Sequence, residues 1–259
     1  MSRKKRITLY LLFAIPPLAS LFFDLLFGDA ADWDFAAKWW HTILTRTLLS
    51  ASAVSLVLFL EKSPLRPIER AEVSGSVRAS LISLAFLVAV NNLPLFPLLS
   101  GAATVGADAG KLFLFALGCL AVGGFEEILF RGFFFPLLLD RFAKKKNGRL
   151  FAILLSASLF GIVHLFNLMA GADILPTLLQ VGYSFLIGCL AALLLLASGS
   201  LLLSILFHAV YNFAGRLVPE CGSGSLWDTP TTLITLILSL AATLTAILFL
   251  LKSRNKNEA

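Results

Sequence analysis

Charged residues are scarce in this chain of 259 residues. Asp, Glu, Lys and Arg make up 14% of the sequence, whereas an ordinary soluble domain has about 25%. Apolar residues reach 58%, above the roughly 45–50% that is usual. Because no stretch is polar enough to form a water-soluble domain beside the apolar ones, the composition excludes a soluble globular protein. It predicts a single membrane domain over residues 1–259.

Cysteine is also scarce, and its spacing excludes two common kinds of site. Cys119 and Cys189 lie inside apolar runs, and Cys221 lies in a loop. Neither a CxxC pair nor the HExxH motif of zinc proteases occurs, so the sequence predicts no disulfide framework and no ordinary zinc motif. The net charge of +6 comes from short basic clusters beside apolar runs. That pattern is typical of membrane orientation and does not indicate a nucleic-acid partner.

What the sequence has instead is eight apolar runs that are long enough to cross a bilayer. A hydrocarbon core about 30 Å thick needs roughly 20 apolar residues in an α-helix. The runs therefore predict an all-α, multi-pass integral membrane protein with about eight transmembrane helices, located in the plasma (inner) membrane if the source is bacterial. The predicted bounds are Ile7 to Phe27, Thr42 to Leu60, Ala79 to Ser100, Lys111 to Leu139, Leu150 to Ala170, Ile174 to Ala197, Ser200 to Leu217 and Thr231 to Leu251.

Basic residues mark one side of the predicted membrane. Sixteen of the 21 Lys and Arg residues lie on the side of the two termini, and three lie on the opposite side. Because positively charged flanks stay in the cytoplasm, both termini are expected to be cytoplasmic, which an even number of helices satisfies. The expected partners are membrane lipids and a membrane-associated peptide or protein substrate.

Some polar residues within the runs are expected to hold the helix bundle together. In the third run, Asn91, Asn92, Pro94 and Pro97 predict a helix break whose polar groups are satisfied inside the bundle, with a substrate path as the alternative. Asn167, Gln180 and Tyr183 are each interpreted as residues that make hydrogen bonds between helices and not as catalysts.

The fourth run carries three ionisable residues where charge is costly. A charged side chain at the bilayer centre costs roughly 2.5–3.5 kcal/mol on insertion scales. Glu127 and Arg131 are four residues apart and share a helix face, so an ion pair between them is expected to lower that cost and to orient the helix. Glu126 is turned about 100° away from this pair. It needs another explanation, and we treat it as a candidate general base.

Two further runs each carry a histidine in the middle of the predicted helix, with a second residue of interest at helical spacing. Phe160 and His164 are four residues apart in the fifth run, and His208 and Asn212 are four apart in the seventh. A single buried histidine is often only hydrogen-bonded to a neighbour, but that explanation weakens when both histidines and Glu126 must be explained together. A carboxylate removed from water holds a proton more readily, which suits a general base, and His and Asn side chains can hold an oxyanion. The inventory predicts hydrolysis by activated water on three converging helices.

The ordered set of motifs resembles a known family. The family is the CPBP family, which comprises type II CAAX prenyl proteases and the Abi proteins related to bacteriocin self-immunity. The resemblance spans residues 111–217, and the family also tends to have eight helices. The motifs are Glu126-Glu127-x3-Arg131, Phe160-x3-His164 and His208-x3-Asn212.

The resemblance implies an endopeptidase that cleaves within or near the membrane. Its substrate would be membrane-associated, either a prenylated CAAX-type protein or a secreted peptide. Glu126 would activate the water with the help of His164, while His208 and Asn212 would stabilise the tetrahedral oxyanion. The supporting residues would be Glu127, Arg131 and Phe160.

A metal is an open alternative for this site. The family is commonly called a metalloprotease family, and Glu126, His164 and His208 could form a zinc set with an open fourth position. Asn212 would be a poor zinc ligand but a good oxyanion donor. Glutamate-activated water is therefore the favoured mechanism, no cofactor is certain, and zinc stays open.

Two functions of other classes also fit the composition. Intramembrane Glu and His residues are used by proton-coupled transporters, but the polar residues here are concentrated in runs four, five and seven rather than in paired broken helices of two halves. A non-catalytic scaffold or regulator of the same fold is the other alternative. The substitution Glu126→Gln distinguishes the protease from the scaffold, because a protease loses cleavage and a scaffold keeps its effect.

Overall fold

The computed structural model describes residues 33–59, 68, 70–169 and 171–254. The first predicted run, Ile7 to Phe27, lies outside the described residues. Within them the chain is mostly helical. The α-helices are α1 (Phe35–Phe59), α2 (Gly75–Asn91), α3 (Leu95–Ser100), α4 (Ala109–Glu127), α5 (Phe135–Phe142), α6 (Gly148–Val163), α7 (Ile174–Ser198), α8 (Leu201–Cys221) and α9 (Thr229–Arg254).

The helices confirm an α-helical integral membrane protein. In the described part of the chain, five helical stretches are long and apolar enough to cross a membrane, and they coincide with the predicted runs four to eight to within a few residues. The number of eight and the cytoplasmic termini stay predictions. The five stretches are Ala109–Phe142, Gly148–Leu168, Ile174–Ser198, Leu201–Cys221 and Thr229–Ser253.

The third run is broken where the sequence predicted a break. Helix α2 ends at Asn91, and the six-residue α3 begins after Pro94, whose ring removes a backbone donor. The Asn91 side-chain amide donates to Thr235 Oγ1 at 2.8 Å. The Asn92 side-chain amide donates to the Tyr211 carbonyl at 3.0 Å. The polar groups of the break are therefore satisfied by α8 and α9, as expected.

A short pair of strands was absent from the all-α prediction. Strands β1 (Ala103–Val105) and β2 (Gly222–Gly224) pair antiparallel, with Thr104 opposite Ser223. A Cβ at Gly222 would overlap the Thr104 carbonyl, so this position requires glycine. Strands of three residues carry no readable alternation of polar and apolar residues, which is why the sequence did not predict them.

The described residues fall into two compact units that are interleaved along the chain. The first contains the described residues before position 67 together with Gly124–Cys189, and the second contains those from position 67 to Gly123 together with the residues from Leu190 onward. In the first unit α5 packs against α6. In the second unit α2 packs against both α8 and α9. The single membrane domain of residues 1–259 and the motif core of residues 111–217 stay predictions.

The fourth membrane-spanning stretch changes its helical geometry in the middle. Between α4 and α5 lies a π-helical segment, Ile128–Phe134. The Phe135 N–H donates to the Phe130 carbonyl, five residues back, and Pro136 follows near the start of α5. Proline cannot donate the regular i→i−4 hydrogen bond and clashes with the carbonyl four residues back, so it favours such a change in the preceding turn. π-helical turns occur often at functional sites.

Candidate active site

Glu127 and Arg131 form an ion pair that is completely buried. Arg131 Nη1 donates to Glu127 Oε1 at 3.0 Å, and both side chains have no exposed surface. The pair confirms the partnership expected from their spacing of four residues. Charges removed from water must be paired to be tolerated, so each of these residues depends on the other.

Arg131 also connects the first motif with the second. Its guanidinium carbon lies 4.7 Å from the ring centroid of Phe160 and 5.9 Å from that of Phe130. Phe130 and Phe160 pack edge to face with centroids 5.1 Å apart. A cation on an aromatic face is attracted more strongly where water is excluded. The guanidinium is therefore held by a carboxylate and by the aromatic ring that begins the second motif.

Phe160 holds His164 in two ways. The two rings meet edge to face with centroids 5.2 Å apart, and His164 Nδ1 lies 2.9 Å from the Phe160 carbonyl oxygen. A carbonyl only accepts hydrogen bonds, so Nδ1 carries the hydrogen in this arrangement. In the neutral ring Nε2 is then the acceptor. The half-buried His164 can thus offer Nε2 to a water molecule or a substrate.

His164 lies at the end of its helix, and the prediction of a mid-helix position was wrong. Helix α6 ends at Val163, and His164 opens a 3₁₀ turn, His164–Leu168. Helices commonly finish in such tighter turns because their last carbonyls lack partners one turn further on. Asn167 in this turn donates to Gln180 Oε1 of α7 at 2.8 Å, which confirms the expected hydrogen bond between helices.

Glu126 lies in the last turn of α4 and is half-buried. The preceding Phe125 is buried in a hydrophobic cluster, and the guanidinium of Arg46 in α1 lies 5.7 Å from the Phe125 ring centroid. Sequence reasoning did not connect Arg46 with this region. Residue spacing could not have predicted this contact, because Arg46 and Phe125 lie on helices that are far apart in the sequence. The cluster consists of Phe125, Leu129, Phe130, Phe133 and Phe160.

His208 and Asn212 lie on α8 in the second unit, four residues apart within one helix. His208 is buried and Asn212 is half-buried. The neighbouring Ala209 is close to Gly123 of α4, where an added Cβ would lie 3.1 Å from the Ala209 backbone nitrogen. Within this unit α4 and α8 therefore approach so closely that a side chain at Gly123 would need the neighbouring backbone to shift.

The structure brings four of the seven predicted site residues into one set of direct contacts. Glu127, Arg131, Phe160 and His164 form a continuous series of contacts in the first unit, which also contains Glu126. His208 and Asn212 belong to the second unit. The convergence of Glu126, His164, His208 and Asn212 on one substrate stays a prediction.

The zinc set that stayed open in the sequence is divided between the two units, with Glu126 and His164 in the first and His208 in the second. Among the side chains that the structure describes, no three from His, Cys, Asp and Glu are placed to share a metal ion. A zinc set of Glu126, His164 and His208 needs three such ligands close together. We therefore derive no step through a metal.

Comparison with known proteins identifies the segment that carries these motifs. Searches of curated proteins and of solved structures returned no match. The family model described as "Type II CAAX prenyl endopeptidase Rce1-like" matches residues 108–214, a segment that contains all seven predicted site residues. The resemblance to the CAAX protease family, first seen in three short motifs, is thereby confirmed over this segment.

Proposed function

We propose that the chain is an intramembrane endopeptidase that hydrolyses a peptide bond with water activated by Glu126. One observation carries the proposal more than any other. The three motifs occur in order within the segment that matches a CAAX endopeptidase family model, and the structure gives the residues of the first two motifs two kinds of environment. Glu127, Arg131 and Phe160 are completely or almost completely buried, as a support should be. Glu126 and His164 are half-buried, as groups that meet water should be.

The chemistry follows from the types of side chain. Glu126 takes a proton from water, and the water oxygen bonds to the carbonyl carbon of the peptide. The negative charge of the tetrahedral intermediate is held by hydrogen bonds from His208 and Asn212. The C–N bond then breaks while Glu126 returns the proton to the leaving amine. The Phe160 carbonyl keeps the hydrogen of His164 on Nδ1, so Nε2 can accept a hydrogen bond from the water.

A shared site for the three motifs is proposed from their order within the segment that matches the family model. A proton-coupled transporter finds no comparable support in the described residues.

The substrate is proposed from the family and from the membrane location. A peptide that reaches half-buried residues among apolar helices must come from the membrane or its edge. We propose a membrane-associated substrate, either a prenylated CAAX-type protein or a secreted peptide, and a location in the plasma membrane if the source is bacterial. Lipids of that membrane would be the other partners.

The proposal is tested by cleavage of a membrane-anchored peptide library in vesicles that contain the purified protein. Half of the library carries a prenyl group near the C-terminus, and half is anchored by an apolar segment. Mass spectrometry identifies the products. Cleavage by the wild-type protein and none by Glu126→Gln is the expected result. If a folded wild-type protein cleaves neither half of the library, the non-catalytic scaffold becomes the better account.

A further inference from the structure

Helix α7 passes the buried guanidinium of Arg131 at a glycine. A Cβ built on Gly188 would lie 2.8 Å from Arg131 Nη2 and 3.2 Å from both Cα and Cβ of Ala157 in α6. A contact of 2.8 Å from a Cβ requires its neighbour to shift, and contacts of 3.2 Å are unusually tight. Every one of these residues lies in the first unit. Because position 188 has no side chain, there is room for the guanidinium of Arg131.

We propose that Gly188 is a positioning residue for the hydrolytic reaction, which it serves through Arg131, Phe160 and His164. The inference rests on the proposed function. It adds a residue that belongs to none of the three motifs and that lies on a helix between the second and the third. Gly188 keeps the guanidinium on the Phe160 ring, and Phe160 in turn holds His164.

A side chain at position 188 would displace Arg131 from its present contacts. Arg131 is completely buried, its Nη1 is held by Glu127 at 3.0 Å, and the Phe160 ring covers it at 4.7 Å. Nε and Nη2 have no hydrogen-bond partner in the described part of the chain, so the packing around Nη2 sets its place. A methyl group at position 188 must push the guanidinium away from Glu127 or across the Phe160 ring.

A displaced guanidinium is expected to affect His164. Phe160 connects the two residues. It contacts Arg131 through its ring, and it contacts His164 through both its ring and its carbonyl oxygen. A small shift at a catalytic group is costly, since reaction rates depend steeply on the geometry of attack. The expected effect is therefore on kcat and not on substrate binding.

Two other glycines provide matched controls in the same pair of helices. Gly182 is also in α7, and a Cβ there would meet nothing within 4 Å. Gly161 is in α6, and a Cβ there would lie 2.8 Å from the Val181 backbone carbonyl oxygen. Gly182→Ala therefore reports the effect of alanine in α7 alone. Gly161→Ala reports a disturbed contact between α6 and α7 that does not involve Arg131.

The experiment measures kcat, KM and thermal unfolding of the purified variants in vesicles. Gly188→Ala should lower kcat at least tenfold and leave KM within twofold of wild type, while Gly182→Ala should change neither by more than twofold. Failure of the proposed function would show as a folded wild-type protein that does not cleave. Failure of this inference would show as an active wild type whose Gly188→Ala variant behaves like Gly182→Ala.

A double-mutant cycle separates positioning from a general loss of packing. Lysine lacks Nη2, so Arg131→Lys should make room for the methyl group at position 188. The loss of kcat caused by Gly188→Ala should shrink at least fivefold in the Arg131→Lys background, whereas the effect of Gly161→Ala should be the same in both backgrounds. If Gly188→Ala does not fold, its recovery as folded protein by Arg131→Lys supports the inference. Equal effects in both backgrounds, or no recovery, overturn it.

Discussion

The guanidinium carbon of Arg131 lies 4.7 Å from the centroid of the Phe160 ring, and this contact connects the first motif of the chain with the second. Glu127 holds the other side of the guanidinium. Three residues of two motifs thus form a support with no reactive group exposed to solvent. Substitutions in this support should affect stability as well as catalysis, in contrast to substitutions of the reacting groups.

The buried ion pair should be worth far more than an ion pair near the surface. Glu127→Gln leaves the charge of Arg131 uncompensated, so the free energy of unfolding should fall by about 3–5 kcal/mol. The matched control is Glu220→Gln, because Glu220 pairs with a partly exposed Arg216 at 2.6 Å. That change should cost less than about 1 kcal/mol. Unfolding of the purified variants in detergent measures both changes in the free energy of unfolding. Equal losses of stability in the two variants would contradict the account.

The aromatic ring of Phe160 should contribute to catalysis through its contact with Arg131. Phe160→Leu keeps the backbone carbonyl and most of the apolar volume but removes the ring. We expect kcat to fall about tenfold, which corresponds to roughly 1.4 kcal/mol and lies within the range for a desolvated cation on an aromatic face. Phe134→Leu is the control, since Phe134 packs on Phe130 at a centroid distance of 5.9 Å and belongs to no motif. Similar kcat values for the two variants would count against the role of the ring.

Hydropathy and spacing of four residues predicted much of this arrangement. The apolar runs predicted the five described membrane-spanning stretches. A backbone in lipid must satisfy its own hydrogen bonds, and a helix does so within one segment. The partnership of Glu127 with Arg131 follows from the turn of an α-helix, and it survives the change to π geometry after Glu127. Asn167 and Gln180 were each expected to make a hydrogen bond between helices, because polar groups in the membrane need partners, and the structure shows that they bond to each other.

The remaining features depend on contacts between distant parts of the chain. The helix ends just before His164, where a 3₁₀ turn begins, and hydropathy does not distinguish such a turn from an α-helix. Gly188 and Arg46 approach the first motif only in the folded chain, and neither carries a spacing signal toward it. A glycine in an apolar helix has many explanations in sequence. In the folded chain, Arg131 Nη2 and Ala157 would both crowd a Cβ at position 188.

Asn212 should act on the reaction and not on the fold. If it holds the oxyanion, Asn212→Ala should lower kcat by about 10²–10³ and leave thermal unfolding unchanged within a few degrees. Asn91→Ala is the opposite control, because the Asn91 amide only donates to Thr235 in the break of the third run. It should cost about 1 kcal/mol of stability and leave kcat within twofold. A loss of kcat common to both variants would remove Asn212 from the proposed oxyanion site.

Chelation should leave hydrolysis intact. Because the proposed mechanism activates water with Glu126 and uses no metal, we expect activity in the presence of a strong zinc chelator to stay within twofold of the untreated enzyme. The comparison needs a preincubation long enough to strip a known zinc protease in a parallel sample. Loss of activity that added zinc restores would replace water activation by Glu126 alone with a metal-assisted mechanism.

The central claim is that Glu126 activates the water, and the most direct measurement is kcat for Glu126→Gln beside wild type and Glu220→Gln in the same vesicles. Glutamine keeps the shape of the side chain but cannot take a proton. The account predicts a loss of at least about 10²–10⁴ in kcat, the usual contribution of general acid–base catalysis, with thermal unfolding unchanged and Glu220→Gln close to wild type. A folded Glu126→Gln protein that cleaves the same peptide at more than a tenth of the wild-type rate would contradict it.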